Sequence, residues 1–222
     1  MTLRLALFDF DGTLADSTGA IVEMFVSSFA QVGLDSPPIE KIRATIGLPL
    51  AQSVAVLFPD LGKEQVAGAV EAYLAEYEAR HRPGKPIIAP LFEGAARSIA
   101  EMEKSMVLGI ATGKSRRGLN QSLASLGIER RFVVTKTADD GPAKPNPAIA
   151  LEAMAETGVD PSNTVVIGDT VYDMEMAKSA GAAAIGVSWG MHPEHELRRA
   201  GADRLITSFQ ELPALALQLT ST

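Results

Sequence analysis

The 222-residue chain contains no cysteine. That excludes disulfides, thiol nucleophiles and zinc–thiolate sites, and it suits a reducing compartment. Histidine is almost as scarce. His81, His192 and His195 are the three, they lack ligand spacing with one another, and surface positions are expected for all of them. Positive charge is also short. A formal net charge of −7 argues against nucleic acid as a partner, since such binders present a basic face. It does not forbid an anionic ligand at a locally positive site. No apolar run is long enough to cross a bilayer. The opening Met-Thr-Leu-Arg-Leu leads straight into a strand pattern with no signal peptide before it. The expectation is a cytoplasmic protein without a membrane partner. There are no internal repeats or low-complexity stretches, and nothing sets the oligomeric state. The length allows one substantial core, or a core with a small second domain.

What is present falls into two textures. Leu3 to Phe8 is an apolar run that reads as a buried parallel strand. From residue 16 to 82 no strand signal follows. Residues 17–32 show helical spacing, with Ile21, Val22, Phe25, Val26 and Phe29 on one face, and Gly33 as a stop. A short helix follows Pro37-Pro38 and ends at Gly47. Another lies at about 50–58, and a longer one at 63–80 places Val66, Val70, Tyr73, Leu74 and Tyr77 on one side. After a turn-rich connection at 81–86 the pattern alternates. Helices near 93–104, 115–126, 147–157 and 171–180 lead to strands Met106–Ala111, Phe132–Thr135, Thr164–Ile167 and Ala182–Val187. Asp203–Ile206 then precedes a helix whose start carries a capping box, Ser208 with Glu211. Such alternation predicts an α/β fold, a parallel Rossmann-like sheet covered on both faces. Residues 1–15 and 87–222 are read as that core. Residues 16–86 are read as an inserted all-helical domain. Its thin connections near 14–17 and 82–90 suggest a lid that closes over the core and excludes water.

Ligands in open α/β sheets bind beyond the carboxyl ends of the strands, and polar groups gather there in this chain. Asp9 and Asp11 close the first strand. Thr112-Gly113-Lys114 closes the second, Lys144 lies in the loop after the third, and Gly168-Asp169-Thr170 closes the fourth, with Asp173 following. Two acids at one strand end raise each other's cost of ionisation. The placement makes sense if a cation lies between them, or if one attacks while the other carries a proton. Each element has a plainer reading alone. Asp-Gly is usually a turn, a lysine is usually a solvated surface residue, and Asp173 at a helix start complements the helix dipole. Those readings leave the shared location unexplained. A phosphate-binding P-loop ending at Gly113-Lys114-Ser115 is rejected, because its upstream glycine would fall at Leu108. Ser115 is a natural cap for the helix that follows.

Asp9-Phe10-Asp11-Gly12-Thr13 resembles the D-x-D-G-T signature of motif I in the haloacid dehalogenase superfamily, and the likeness extends over nearly the whole chain. Thr112 resembles motif II and Lys144 motif III. The resemblance implies a helical cap placed after motif I and a Mg2+ cofactor. It gives Asp9 the role of nucleophile and makes the Asp9 and Asp169 side chains metal ligands, with Asp11 ligating through its backbone carbonyl. Asp173 supports them or adds a ligand. A carboxylate can attack phosphorus, and Asp11 would then be free to protonate the departing alkoxide and later to activate water. The branch that dehalogenates haloacids generally lacks the second aspartate, so Asp11 favours phosphoryl chemistry. Thr112 and the Gly113 N–H would hold phosphate oxygens, and Lys144 would stabilise the charge on Asp9.

The expected activity is a Mg2+-dependent phosphatase acting on a small phosphorylated metabolite, closest to the phosphoglycolate phosphatase-like branch. A phosphomutase of the β-phosphoglucomutase type or a pyrophosphatase could use the same site. Phosphonate cleavage would need a cap lysine, and Lys41 and Lys63 show no special context. Arg43 and the turn Gly47-Leu48-Pro49 are candidates for substrate contact. Arg116 and Arg117 are expected on a solvated helix face, and Trp189 either borders the site or packs in the core.

Overall fold

The computed structural model describes residues 3–80 and 89–220. Six strands form one parallel sheet: β1 Leu5–Phe8, β2 Val107–Ala111, β3 Val134–Lys136, β4 Thr164–Gly168, β5 Ala183–Val187 and β6 Arg204–Ile206. Their spatial order is β3-β2-β1-β4-β5-β6, the doubly wound arrangement whose order reverses beside β1. Helices α1 Thr18–Gln31, α2 Ile39–Thr45, α3 Leu50–Leu57 and α4 Lys63–Arg80 lie between β1 and the rest. Then come α5 Ala95–Met102, α6 Arg116–Leu126, α7 Ala148–Thr157, α8 Val171–Ser179, α9 Glu194–Arg199 and α10 Leu212–Leu219.

The central strand shows why its sequence is a continuous apolar run. Successive side chains of a strand point to opposite faces. Ala6 and Phe8 enter one core, with Ile110, Ile167, Ile185 and Phe209. Leu5 and Leu7 enter the other, with Val134, Val166, Met174 and Ala184. With helices on both faces, no position of β1 can be polar. Helices α1–α4 bury their own cluster around Phe25, Phe29, Ile42 and Val54. Phe25 packs on Tyr73 and Phe29 on Phe58, each with ring centroids 4.8 Å apart. Gly33 stops α1 as its position suggests. It takes φ +73°, a left-handed value natural to glycine, and lets the Leu34 N–H reach back to the Phe29 carbonyl.

Some boundaries differ from the sequence reading. Leu3 is exposed, and pairing in the first strand starts at Leu5. The third strand lies later than Phe132–Thr135, because Phe132 packs edge-on against Phe8 instead of pairing. Ladder pairing runs instead through Val134, Thr135 and Lys136, and the buried Lys136 ammonium is satisfied by Glu152 and Glu156. The expected thin connection near 14–17 is fastened down. Leu14 and Ala15 are fully buried. The Asp16 N–H donates to the Pro90 carbonyl and the Phe92 N–H to the Leu14 carbonyl. The apolar pair Leu14-Ala15 belongs to the core beside Phe10, so this end cannot swing freely. The other expected connection falls largely on residues 81–88, which with His81 lie outside the described residues.

Candidate active site

The site begins where β1 and β4 end side by side. Phe8 is in register with Ile167, and the Asp9 N–H donates to the Ile167 carbonyl at 2.8 Å. Register therefore sets Asp9 level with Gly168 at the end of β4, the residue just before Asp169. Both carboxylates are buried. Asp173 joins them from the first turn of α8. One ligand-type oxygen from each of Asp9, Asp169 and Asp173 lies within 4.8 Å of the others.

Lys144 is fully buried between two of these acids. Its Nζ donates to Asp9 Oδ1 at 2.7 Å and to Asp173 Oδ1 at 2.5 Å. The other Asp173 oxygen accepts from the N–H and the hydroxyl of Thr170, closing a capping box at the start of α8. Asp173 is thus fixed by its own helix and in turn fixes the lysine. Asp169 is held as tightly. The Thr13 hydroxyl donates to its Oδ1 at 2.6 Å and the Met191 N–H to its Oδ2 at 2.9 Å. Gly12 and Gly190 pack directly on it. A Cβ at position 190 would lie 2.0 Å from Asp169 Cβ, so the loop can close over the acid only with glycine there.

Three buried carboxylates face one ammonium, and the imbalance shows in the acidity of Asp9 and Asp169. Burial pushes the Asp9 carboxyl up from 3.8 to about 6; Lys144 opposes this and Asp173 adds to it. Burial also raises Asp169 well above the carboxylate range, with the charges of Asp9 and Asp173 acting in the same direction. Burial alone would lower Lys144, but Asp173 and Asp9 more than offset it and hold the ammonium charged. The cluster is short of positive charge. Oxygen donors in a negative, buried group suit a hard divalent cation. Asp9, Asp169 and Asp173 are the side chains that could hold one; the Asp173 oxygens are tied to Lys144 and Thr170, and those of Asp169 to Thr13 and Met191.

Asp11 points elsewhere. Its carboxylate oxygens accept from Lys114 Nζ at 3.0 and 2.9 Å. Burial works against the Lys114 charge, and Asp11 more than compensates, so the ammonium is held above its ordinary range. Thr112 and Gly113 follow β2 beside this pair, and Thr112 is buried. A cavity of about 160 Å³ opens here, lined by Asp9, Asp11, Thr112, Gly113 and Lys114 from the sheet edge. Helices α1, α3 and α4 and the turn before α3 close its other side. That turn sits on the sheet edge: a Cβ on Gly113 would meet the Gly47 carbonyl at 2.6 Å. The Tyr172 hydroxyl donates to the Ala44 carbonyl from the opposite flank.

Asp9, Asp11, Thr112, Gly113, Lys144, Asp169 and Asp173 therefore meet at one sheet edge. Leu48 lines the cavity, whereas Arg43 is exposed and contributes no wall. The reading from sequence placed Lys114 at the end of the second strand but gave it no role, and did not foresee its pairing with Asp11. It also gave no role to Thr13, although Thr13 closes the quoted motif. His192 is buried, against expectation. Its backbone N–H donates to the Asp169 carbonyl, while the ring Nδ1 accepts from the Val171 N–H, so the ring caps the start of α8. Arg116 is not on a free face, since its guanidinium bonds Thr135 and Asp140. Trp189 packs on Phe209 and donates to the Thr13 carbonyl.

A doubly wound sheet that brings acids, a buried ammonium and hydroxyl and amide donors to its carboxyl edge has the makings of a phosphoric monoester hydrolase. Comparison with known proteins gives the lineage. Residues 6–187 match the haloacid dehalogenase-like hydrolase family, and the chain belongs to it. A protein of Dickeya dadantii (strain 3937) named "Probable phosphatase IndB" is 34% identical over 98% of this chain and 96% of its own length. An N-acetylmuramic acid 6-phosphate phosphatase of Pseudomonas putida is 30% identical, covering 96% of this chain and 95% of its own. Among solved structures, a putative haloacid dehalogenase-like hydrolase from Bacteroides fragilis superposes with a TM-score of 0.86 at 27% identity, over 96% of this chain and all of that one.

Proposed function

We propose that this chain is a Mg2+-dependent phosphatase for small phosphomonoesters of about the size of phosphoglycolate, working through an aspartyl-phosphate on Asp9. The observation that carries the proposal is the single lysine clamped between Asp9 and Asp173, with Asp169 alongside in a cluster of three acids short of positive charge. In this reading the Asp9 and Asp169 side chains and the Asp11 backbone carbonyl hold the cation. When bound, it supplies the charge that lets a carboxylate approach a phosphate dianion.

The remaining chemistry belongs to the chain. Lys144 keeps Asp9 oriented and ionised, and Asp173 anchors Lys144. Asp9 forms a bond to phosphorus as the bond to the leaving oxygen breaks. Thr112 and the Gly113 N–H hold phosphoryl oxygens. Once substrate has drawn Lys114 away and Asp11 has taken up a proton, Asp11 gives that proton to the departing alkoxide, then takes one from the water that releases phosphate. Lys114 holds the Asp11 carboxylate beside the cavity, and substrate entering there competes for the same ammonium. Helices α1–α4 act as a cap over residues 9–13 and keep water from the intermediate.

The test is hydrolysis of phosphomonoesters by purified protein. Turnover should stop in EDTA and return with Mg2+. Acid-quenched enzyme should carry a phosphoryl group on the peptide containing Asp9. Undiminished turnover in EDTA, or by Asp9→Asn, would overturn the proposal.

A further inference from the structure

The wall of the cavity facing away from Asp9 carries information on the leaving group. Besides the acids and the Thr112-Gly113-Lys114 loop, the cavity lining includes Ile21, Met24 and Phe25 of α1, Leu48, Leu50 and, from α4, Tyr73. Among the described lining residues Lys114 is the sole cation, and Asp11 already engages it with both oxygens. The neutral polar groups are largely committed. The Ser53 hydroxyl donates to the Thr45 carbonyl at 3.0 Å. The Ser115 hydroxyl accepts from the Gly118 N–H as the cap of α6, and the Tyr77 hydroxyl donates to Gln121. Tyr73 adds one phenol.

We infer that the alcohol released from the substrate is compact and mainly apolar, no bulkier than a benzene ring or a short aliphatic chain, with no second anionic group and at most one hydroxyl. The inference rests on the phosphatase reading above and narrows it. A buried polar group without a partner is strongly disfavoured, and a buried unpaired charge more so. A carboxylate, a second phosphate or the ring of hydroxyls on a sugar would meet aliphatic side chains here. Size sets a ceiling: the cavity of about 160 Å³ also contains the space beside Asp9, Asp11, Thr112 and Gly113 that the phosphoryl group would take, and a cavity of about 150 Å³ is filled by one benzene.

The test is a panel of kcat/KM values in Mg2+ for n-butyl phosphate, phenyl phosphate, phosphoglycolate, glucose 6-phosphate and pyrophosphate. Acetyl phosphate serves as a reference whose leaving group is too small to read the walls. The comparison of n-butyl phosphate with phosphoglycolate is the most direct, because both release alkoxides. The butyl ester should exceed phosphoglycolate, glucose 6-phosphate and pyrophosphate by roughly tenfold or more, the scale on which apolar pockets discriminate. Leu50→Arg places a cation at a half-buried position of the lining and should move the ratio toward phosphoglycolate. If acetyl phosphate is hydrolysed but phosphoglycolate, glucose 6-phosphate or pyrophosphate is preferred over the butyl ester, the leaving-group inference is wrong and the phosphatase reading stands. If no compound in the panel is turned over, acetyl phosphate included, both fall.

Discussion

Asp9→Asn should destroy activity and stabilise the metal-free protein. The two effects share one cause. Asp9 is fully buried with its carboxyl raised from 3.8 to about 6, so the folded chain holds a proton that the unfolded chain releases. The sign follows from that difference. Below about pH 4 both states are protonated and Asp9 costs nothing. As pH rises through the interval the unfolded state ionises first, and the penalty is complete above about 6. The gap between 3.8 and about 6 is worth about 3 kcal/mol. Asparagine removes the charge but weakens one hydrogen bond to Lys144, a loss of about 1 kcal/mol; Asp173 still holds the ammonium. The net gain is about 2 kcal/mol, or about 4–8 °C in Tm for a chain of this size. The assay is thermal melting followed by circular dichroism in EDTA at pH 4.5 and 7.5, then at pH 7.5 with Mg2+. The variant should melt higher at pH 7.5 in EDTA, the advantage should shrink at pH 4.5, and Mg2+ should raise wild type more than variant. A variant that melts below wild type in EDTA at pH 7.5 would refute the charge argument, even if its activity were lost.

Lys144→Met should act in the opposite direction, because it strips the sole cation from three buried acids; the loss should be about 3–5 kcal/mol by urea unfolding in EDTA, partly recovered in the double variant with Asp9→Asn. Thr13→Val removes the 2.6 Å hydrogen bond to Asp169 and should weaken Mg2+ about 10–100-fold, the usual scale for a partner of a metal ligand, measured as the Mg2+ concentration giving half-maximal activity. Gly113→Ala needs no unusual backbone, yet its methyl would lie 2.6 Å from the Gly47 carbonyl; Tm should change little while kcat/KM falls at least about tenfold, and unchanged kinetics would show that this contact is dispensable.

The fold was legible where burial is two-sided. Leu5–Phe8, Val107–Ala111 and Thr164–Gly168 have no solvent face, so composition alone marks them. The edge strand β3 was misplaced because its pairing residues include Thr135 and Lys136, while the apolar Phe132 packs without pairing. Apolar character reports burial, and burial there was not strand pairing. The same limit hid the state of Leu14 and Ala15. A short segment between two textures looks like a linker, but two small apolar side chains beside Phe10 are enough to bury it and tie it to Pro90 and Phe92.

The site was legible as far as strand ends carry it. Asp9, Thr112 and Asp169 are placed by register alone, once the strands are known to be parallel. Which charge pairs with which is a different question, since it depends on side chains reaching across elements. Lys114 lies 103 residues from Asp11, and no spacing rule links them. Yet the pair divides the site into two halves. Lys144 bonds Asp9, the proposed nucleophile, and Asp173, and Lys114 holds Asp11, the acid proposed to move protons. Each ammonium is already committed to carboxylates. A substrate anion beyond the phosphoryl group would therefore have to compete with Asp11 for its cation. That competition is the physical reason the apolar wall, rather than a second charge, has to distinguish one phosphomonoester from another.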